Sequence, residues 1–360
     1  MYALATLLSA SVLIVVGQKI DYVPLKGFSL FAIIGMIAAS LVAALSYHVF
    51  MLFVALFMLR FFGQGLLSHT AMTTMSRYFK KARGKALSIA YLGFPAGEGL
   101  LPVLVVSLIM VIGWRETFGV TALLMIIILL PLAVFLLKGV SIEHIVEETD
   151  KTVYKQRIDN PEEARIWRKR EVLNHPLFYL YAPTVFLIGF LQTALFFFQT
   201  FIAAEKGWSV EWMAGSIMAY AIASSMLSIG AGPLIDRFSA SRIFPFILIP
   251  LSFGLLVLSY ASHPFLTPVF WLLIGVSGGV SSPVSSSLYA ETFGTKSLGT
   301  VRSLFTFVMV MSTALGPIVY SLLLDRGLTF MAIHWGVIVV IMLNVVFILA
   351  LSRSFRSKGK

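Results

Sequence analysis

GPLIDRF, residues 232–238, stands between two apolar runs and places an aspartate four residues after a glycine. GQKIDYV, residues 17–23, sets a glycine and an aspartate at the same spacing 215 positions earlier. The offset reaches beyond these phrases: Gly63 matches Gly278, Gly84 matches Gly299 and Pro102 matches Pro317. With Gly17–Gly232 and Asp21–Asp236 this makes five matches in order. They argue for two homologous halves.

Composition says what kind of chain is repeated. Hydrophobic residues make up 59% of the 360, and charged residues only 12%; mean hydropathy is +0.93. Soluble domains average about 25% charged residues, so a water-soluble core is a poor account. Apolar stretches near the ~20 residues that span a bilayer recur throughout. They predict eleven helices, at 2–17, 28–47, 50–73, 85–112, 117–137, 177–203, 211–234, 243–261, 266–289, 301–324 and 328–351. No ten-residue alternation suggests a barrel, which leaves helices as the spanning structure. Cysteine is absent, which excludes disulfides and thiolate metal sites.

The basic residues set orientation. Twenty-three of the 27 Lys and Arg fall in or beside alternate loops: 18–27, 76–85, 138–174, 236–242, 291–300 and the tail. The opposite loops hold only Arg115, Lys206 and Arg326. The first set is predicted to be cytoplasmic, in the cell membrane, with the C-terminus inside. The net charge of +11 is therefore a topology signal and implies no nucleic-acid partner. Both glycine–aspartate phrases face the same side. The repeat is parallel, about an axis along the membrane normal.

These residues carry a family resemblance. Each half has the Gly-x-x-x-Asp loop, and the first half continues with RFFGQG at 60–65, SRYFKKARGKALSIAYLGFPAGEGLLP at 76–102 and GWRETF at 113–118. The chain resembles the major facilitator superfamily over nearly its whole length, and most resembles the monocarboxylate-porter-related branch. The resemblance implies an all-α membrane protein of two six-helix bundles, acting as a monomer. Here the first helix of the N-terminal bundle is missing, because the counterpart of 177–203 would map before residue 1. The expectation is a start site upstream, with true truncation as the rival. The predicted layout is an N-terminal bundle at 1–137, a linker at 138–174, a C-terminal bundle at 175–352 and a tail at 353–360.

For Gly17, Asp21, Gly84, Gly232, Asp236 and Arg237 the bland reading is a helix C-cap followed by a polar turn. Repetition favours a gating role. An aspartate facing a helix N-terminus gains about 0.3–1 kcal/mol. The resemblance implies that Asp21 meets the start of the eleventh family helix, near Arg302 and Ser303, and that Asp236 meets Gly84 and Lys85. Tyr22 stands where the second copy has Arg237, which departs from the family pattern.

Away from the ends of the predicted spans only Arg60 and Glu98 are formally charged. Each costs at least about 2.5 kcal/mol at the bilayer centre and needs a partner or water. Both lie about 21–23 Å from the cytoplasmic helix ends at 1.5 Å per residue. A static salt bridge competes with a site for a substrate carboxylate or a coupling proton. GFPAGEGLLP sets glycines and prolines around Glu98, predicting a bent helix with an acid at the bend. GVSGGVSSPVSSS at 275–287 reads mainly as helix packing, and Phe196–Phe198 as core or lipid-facing. Gln64, Gln192, Gln199, Tyr220, Ser224 and Asn344 are uncharged candidates. AGSIMAYAIASSMLSIGAG, 214–232, lacks the aspartate–arginine pair of the lactate transporters.

The linker holds eight acids and eight bases, with NPEEARIWRKREVL at 160–173 predicted as a short interfacial helix. No GxxxxGK[ST] loop occurs, and six scattered histidines give no catalytic or metal cluster. No enzyme activity and no cofactor are expected. The leading reading is a secondary transporter of a small organic solute, an organic anion among the options, with protons as the coupling ion. The alternatives are a drug or metabolite efflux pump of the same superfamily, and a non-transporting relic or sensor.

Overall fold

A backbone in hydrocarbon must satisfy its own N–H and C=O groups, and among the described residues all regular structure is helical. The computed structural model describes residues 1–79, 82–138 and 166–357. In the N-terminal half, α1 is Tyr2–Val16, followed by a 3-10 turn, Gly17–Asp21, and α2 is Leu25–Ala44. Then α3 (Val49–Met58), a π-helical segment (Leu59–Leu67) and α4 (Ser68–Tyr78) follow without a break. Next come α5 (Arg83–Tyr91) and α6 (Gly93–Ile112). The half ends with α7 (Trp114–Leu124), a second π segment (Met125–Leu129) and α8 (Leu130–Leu136).

After the short α9 (Lys169–Leu173) come α10 (Pro176–Glu205), α11 (Val210–Gly215) and α12 (Ile217–Phe238). They are followed by α13 (Ala240–Ile243), α14 (Ile249–Tyr260), α15 (Thr267–Phe293), α16 (Leu298–Asp325) and α17 (Phe330–Ser357). Ten helical spans among the described residues are long and apolar enough to cross a membrane.

The remaining expected span, 85–112, is divided between α5 and α6 at Leu92. Pro95 has no N–H to offer the Tyr91 carbonyl, so the helix ladder is interrupted there. Glu98 follows on the first turns of α6. In the linker, the cap expected at Asn160 and Pro161 lies outside the described residues. Among the described residues of this stretch, 166–168 are irregular and Lys169–Leu173 is helical.

The chain forms two compact units, and each draws on both sequence halves. The first comprises Met1–Tyr78, Leu100–Glu171 and Tyr289–Phe307. Its core joins Leu13 and Ile20 of the N-terminal stretch to Leu25, Phe28 and Ala32 of α2 and to Phe61 and Leu66 of the π segment. The second comprises Phe79–Gly99, Val172–Leu288 and Val308–Lys360. There α5 packs extensively on α12.

Candidate functional site

The first unit contains the Asp21 site. Asp21 ends its 3-10 turn beside the start of α16, whose first N–H groups have no partner within the helix. The Gly299 N–H donates to Oδ1 at 2.9 Å, and the Thr300 N–H and hydroxyl donate to Oδ2 at 2.8 and 2.9 Å. Asp21 thus caps a helix remote from it in sequence. The natural N-cap, Ser297, is otherwise engaged, its hydroxyl accepting the Trp167 N–H at 2.7 Å. Arg77 of α4 forms an ion pair with Asp21. It also donates to the carbonyls of Ile20 at 3.0 Å and Thr295 at 3.3 Å. His69, 1% exposed, lies 2.9 Å by its Nε2 from the Gly17 carbonyl.

The second unit repeats this construction. Asp236, near the end of α12, accepts the Gly84 N–H at 3.0 Å and the Lys85 N–H at 3.4 Å. These are early N–H groups of α5, whose N-cap residue, Ala82, has no capping side chain. The approach requires glycine on both helices of the crossing. A Cβ on Gly84 would stand 2.6 Å from the Gly232 carbonyl oxygen, and one on Gly232 would stand 2.7 Å from Lys85 Cα. In the first unit a Cβ on Gly299 would fall 2.6 Å from Asp21 Oδ1. Arg237 lies over the Phe238 ring at 5.2 Å.

One detail differs from the expectation: Asp21 meets the helix start at Gly299 and Thr300, about one turn before Arg302 and Ser303. With Tyr22 after the aspartate, the cation that pairs with Asp21 is Arg77 of α4. Arg77 read in the sequence as one more positive charge of the cytoplasmic loops, and His69 as one of several scattered histidines. Only the fold brings them to Asp21 and Gly17.

The intramembrane candidates divide between the units. Arg60 and Gln64, four residues apart, both lie on the π segment of the first unit, where Arg60 Nη1 donates to the Gln64 amide oxygen. π-helical turns recur at functional sites. Glu98, Gln192, Gln199, Tyr220, Ser224 and Asn344 belong to the second unit. Asn344 accepts the Thr184 hydroxyl at 2.7 Å, a buried bond between α10 and α17. Tyr220, 5% exposed, packs its ring edge and hydroxyl against Gly278, where a Cβ would lie 3.1 Å from the hydroxyl oxygen. Phe196 packs on Tyr220 and Trp271 with ring centroids 5.1 and 4.6 Å away. Phe198 is buried against Tyr320, and Phe197 is 62% exposed. Gly275 and Gly279 of the small-residue stretch let α15 sit directly on the backbone of Tyr220 and Ser224. Among the described residues no three His, Asp or Glu groups could hold a metal.

Comparison with known proteins places this geometry. A family model described as Major Facilitator Superfamily matches residues 1–317 and 182–359. Two curated relatives, both described as Multidrug resistance protein B homolog, come from Mycobacterium tuberculosis strains CDC 1551 / Oshkosh and ATCC 25618 / H37Rv. Each is 29% identical over 120 residues, 33% of this chain but only 22% of the relative's own length. Among solved structures, the human organic anion transporter MFSD10 (TETRAN) superposes with a TM-score of 0.73 at 16% identity, covering 96% of this chain and 82% of that one. The proton:xylose symporter XylE, bound to 6-bromo-6-deoxy-D-glucose, gives 0.72 at 13% identity, with coverage of 97% and 84%. Likeness at such identities concerns the fold.

Proposed function

Because the chain belongs to the major facilitator superfamily of membrane transporters, we propose that it moves a small organic solute by alternating access of its two homologous halves, coupled to protons. The observation that carries this reading is the repeated borrowed cap, Asp21 on Gly299 and Thr300 and Asp236 on Gly84 and Lys85. Each contact is worth about 0.5–2 kcal/mol, as other N-caps are. Contacts of that size can hold a cytoplasmic gate and still break within a transport cycle. Arg60, Gln64 and Glu98 are the proposed coupling groups, and Gln192, Gln199 and Tyr220 the proposed substrate contacts. In this reading the carrier works as a monomer, and the C-terminus faces the cytoplasm. Placement near the monocarboxylate-porter-related branch rests on the sequence resemblance carried by the glycine–aspartate loops and by 60–65, 76–102 and 113–118.

Export of drugs or metabolites is the second reading, supported by the 29% identity with the multidrug resistance homologues. Proteoliposomes loaded with a solute panel, with and without a pH gradient, test both. Gradient-dependent uptake supports the first, and gradient-dependent extrusion the second. Asp236→Asn should slow transport of either kind while leaving the protein inserted and monodisperse. Wild-type rates in that variant would reduce the motif to a turn.

A further inference from the structure

We propose that Trp167, at the end of the central linker, is a latch on the Asp21 cap. Docked on Ser297, it keeps that serine from capping its own helix and so holds the Asp21 cap closed. The proposal rests on the gate reading of Asp21 and gives that gate a control element. All its parts lie in the first unit: Asp21, Arg77, Trp167, the turn at 294–297 and the start of α16.

The first observation is a competition for two N–H groups. The Val301 N–H donates to the Ser297 carbonyl at 3.0 Å, which makes Ser297 the N-cap residue of α16. A serine there ordinarily accepts from the second or third N–H of its helix, here those of Gly299 and Thr300. Asp21 takes both, at 2.9 and 2.8 Å. The Ser297 hydroxyl accepts the Trp167 N–H at 2.7 Å instead. Two caps contend for one helix end, and the linker occupies one of them.

The second is the repeat. Position 82, the counterpart of 297 at the same offset of 215, is alanine. Ala82 is the N-cap residue of α5 and supplies no side-chain cap, so Asp236 meets no rival at Gly84 and Lys85. Of the two aspartate caps only the first has a rival, and that rival is the group the linker holds.

The third is the anchorage. Trp167 is 5% exposed, with its ring edge-on to Phe293 at 5.4 Å and 86°. Phe293 is buried and ends α15, four residues before Ser297. The ring therefore fixes the Trp167 N–H at the turn. Arg77 donates to the Thr295 carbonyl in that turn and pairs with Asp21. One short turn thus joins latch, cap and ion pair. When Asp21 withdraws, the Thr300 N–H is left to Ser297, and a serine turned to its own helix gives up Trp167. Such coupling is reciprocal: a docked Trp167 favours the closed cap, and an open cap favours undocking.

The chain has no cysteine, so Ile20→Cys gives a single reporter thiol. Ile20 is buried, and its side chain fills the space that a Gly299 Cβ would need, so opening of the cap uncovers it. Labelling of the purified full chain with a charged maleimide then reads the open fraction. Trp167→Ala should raise the rate about two- to thirtyfold, the equilibrium worth of one N-cap side chain. Adding Ser297→Ala should return it to the parent rate, because the rival is gone. Trp167→Phe, which keeps a ring against Phe293, should label like the parent. Should Ile20→Cys fail to fold, hydrogen exchange at the Gly299 amide replaces it, with the same order expected.

No rise in Trp167→Ala would overturn the latch. So would a rise that Ser297→Ala leaves in place, which is what a tryptophan that only packs would give. Labelling is read without transport, so the two readings fail separately. The expected labelling pattern with parent flux in Trp167→Ala would keep the latch and count against the gate.

Discussion

At the scale of single residues, the Asp21 site makes the sharpest demands. Its side chain is 3% exposed, while that of Arg77 is 23% exposed. Arg77→Gln would leave the carboxylate on its three N–H and O–H donors without the guanidinium. We expect a loss of about 1.5–3 kcal/mol, typical of a hydrogen bond to a charged group, read as a lower melting temperature in detergent. Adding Asp21→Asn should recover part of it, because the charge that needed the arginine is gone. An Arg77→Gln protein as stable as the parent would show that the ion pair contributes nothing. Tyr22, 72% exposed, should tolerate Tyr22→Ala with a change within about 0.5 kcal/mol. The sequence drew attention to Tyr22 because it breaks the repeat. It could not reveal Arg77, since position 292, the repeat counterpart of 77, is a threonine and the pairing exists only after folding.

At the scale of elements, spacing in the sequence was a good guide to helices and to their punctuation. The apolar runs marked the helices within a few residues; the glycines and prolines around Glu98 predicted a bend at the acid, and the helix is interrupted six residues earlier, at Leu92. The π segment that carries Arg60 and Gln64 was not legible, because one extra residue in a turn barely alters an apolar pattern. The two compact units were not legible either. Assigning 79–99 to one unit and 289–307 to the other depends on packing between segments far apart in sequence. The crossing of α5 and α12 gives the prediction for this scale. Gly84→Ala places a methyl group 2.6 Å from a backbone carbonyl oxygen and 2.8 Å from Ile235 Cβ. Neither neighbour is a flexible side-chain end, so the helices must part, at a cost of about 1–3 kcal/mol. Gly27→Ala is the control: a Cβ there meets nothing within 4 Å, and it lies inside α2. It should stabilise by about 0.5–1 kcal/mol through helix propensity alone. Opposite signs in thermal unfolding check the argument; equal shifts would mean that the crossing has slack.

At the scale of the whole molecule, orientation is decided by all the charges together. Two of the three cations of the basic-poor loops, Arg115 and Lys206, lie over aromatic rings. Arg115 lies 4.4 Å from the Trp114 ring centroid and 5.3 Å from that of Tyr47, and donates to the Ser46 carbonyl at 3.1 and 3.2 Å. Lys206 sits 5.1 Å over Trp208 and donates to the Ala261 carbonyl at 3.0 Å. Burial lowers its ammonium below the ordinary lysine value, with Glu205 opposing. Trp and Tyr collect at membrane interfaces, so these cations read as anchors at the membrane surface rather than as members of a basic loop. The other loops of the sequence hold the 23 remaining loop-associated Lys and Arg. We therefore expect a reporter fused after Lys151, and another at the C-terminus, to be active in the cytoplasm. A reporter fused near Glu205 should be active on the outer face. Arg115→Ala combined with Lys206→Ala should leave all three signals unchanged, because removing cations from the poor side deepens the asymmetry. A reversal at any of the three sites, in either background, would overturn the orientation. The cytoplasmic placement of both glycine–aspartate caps would fall with it.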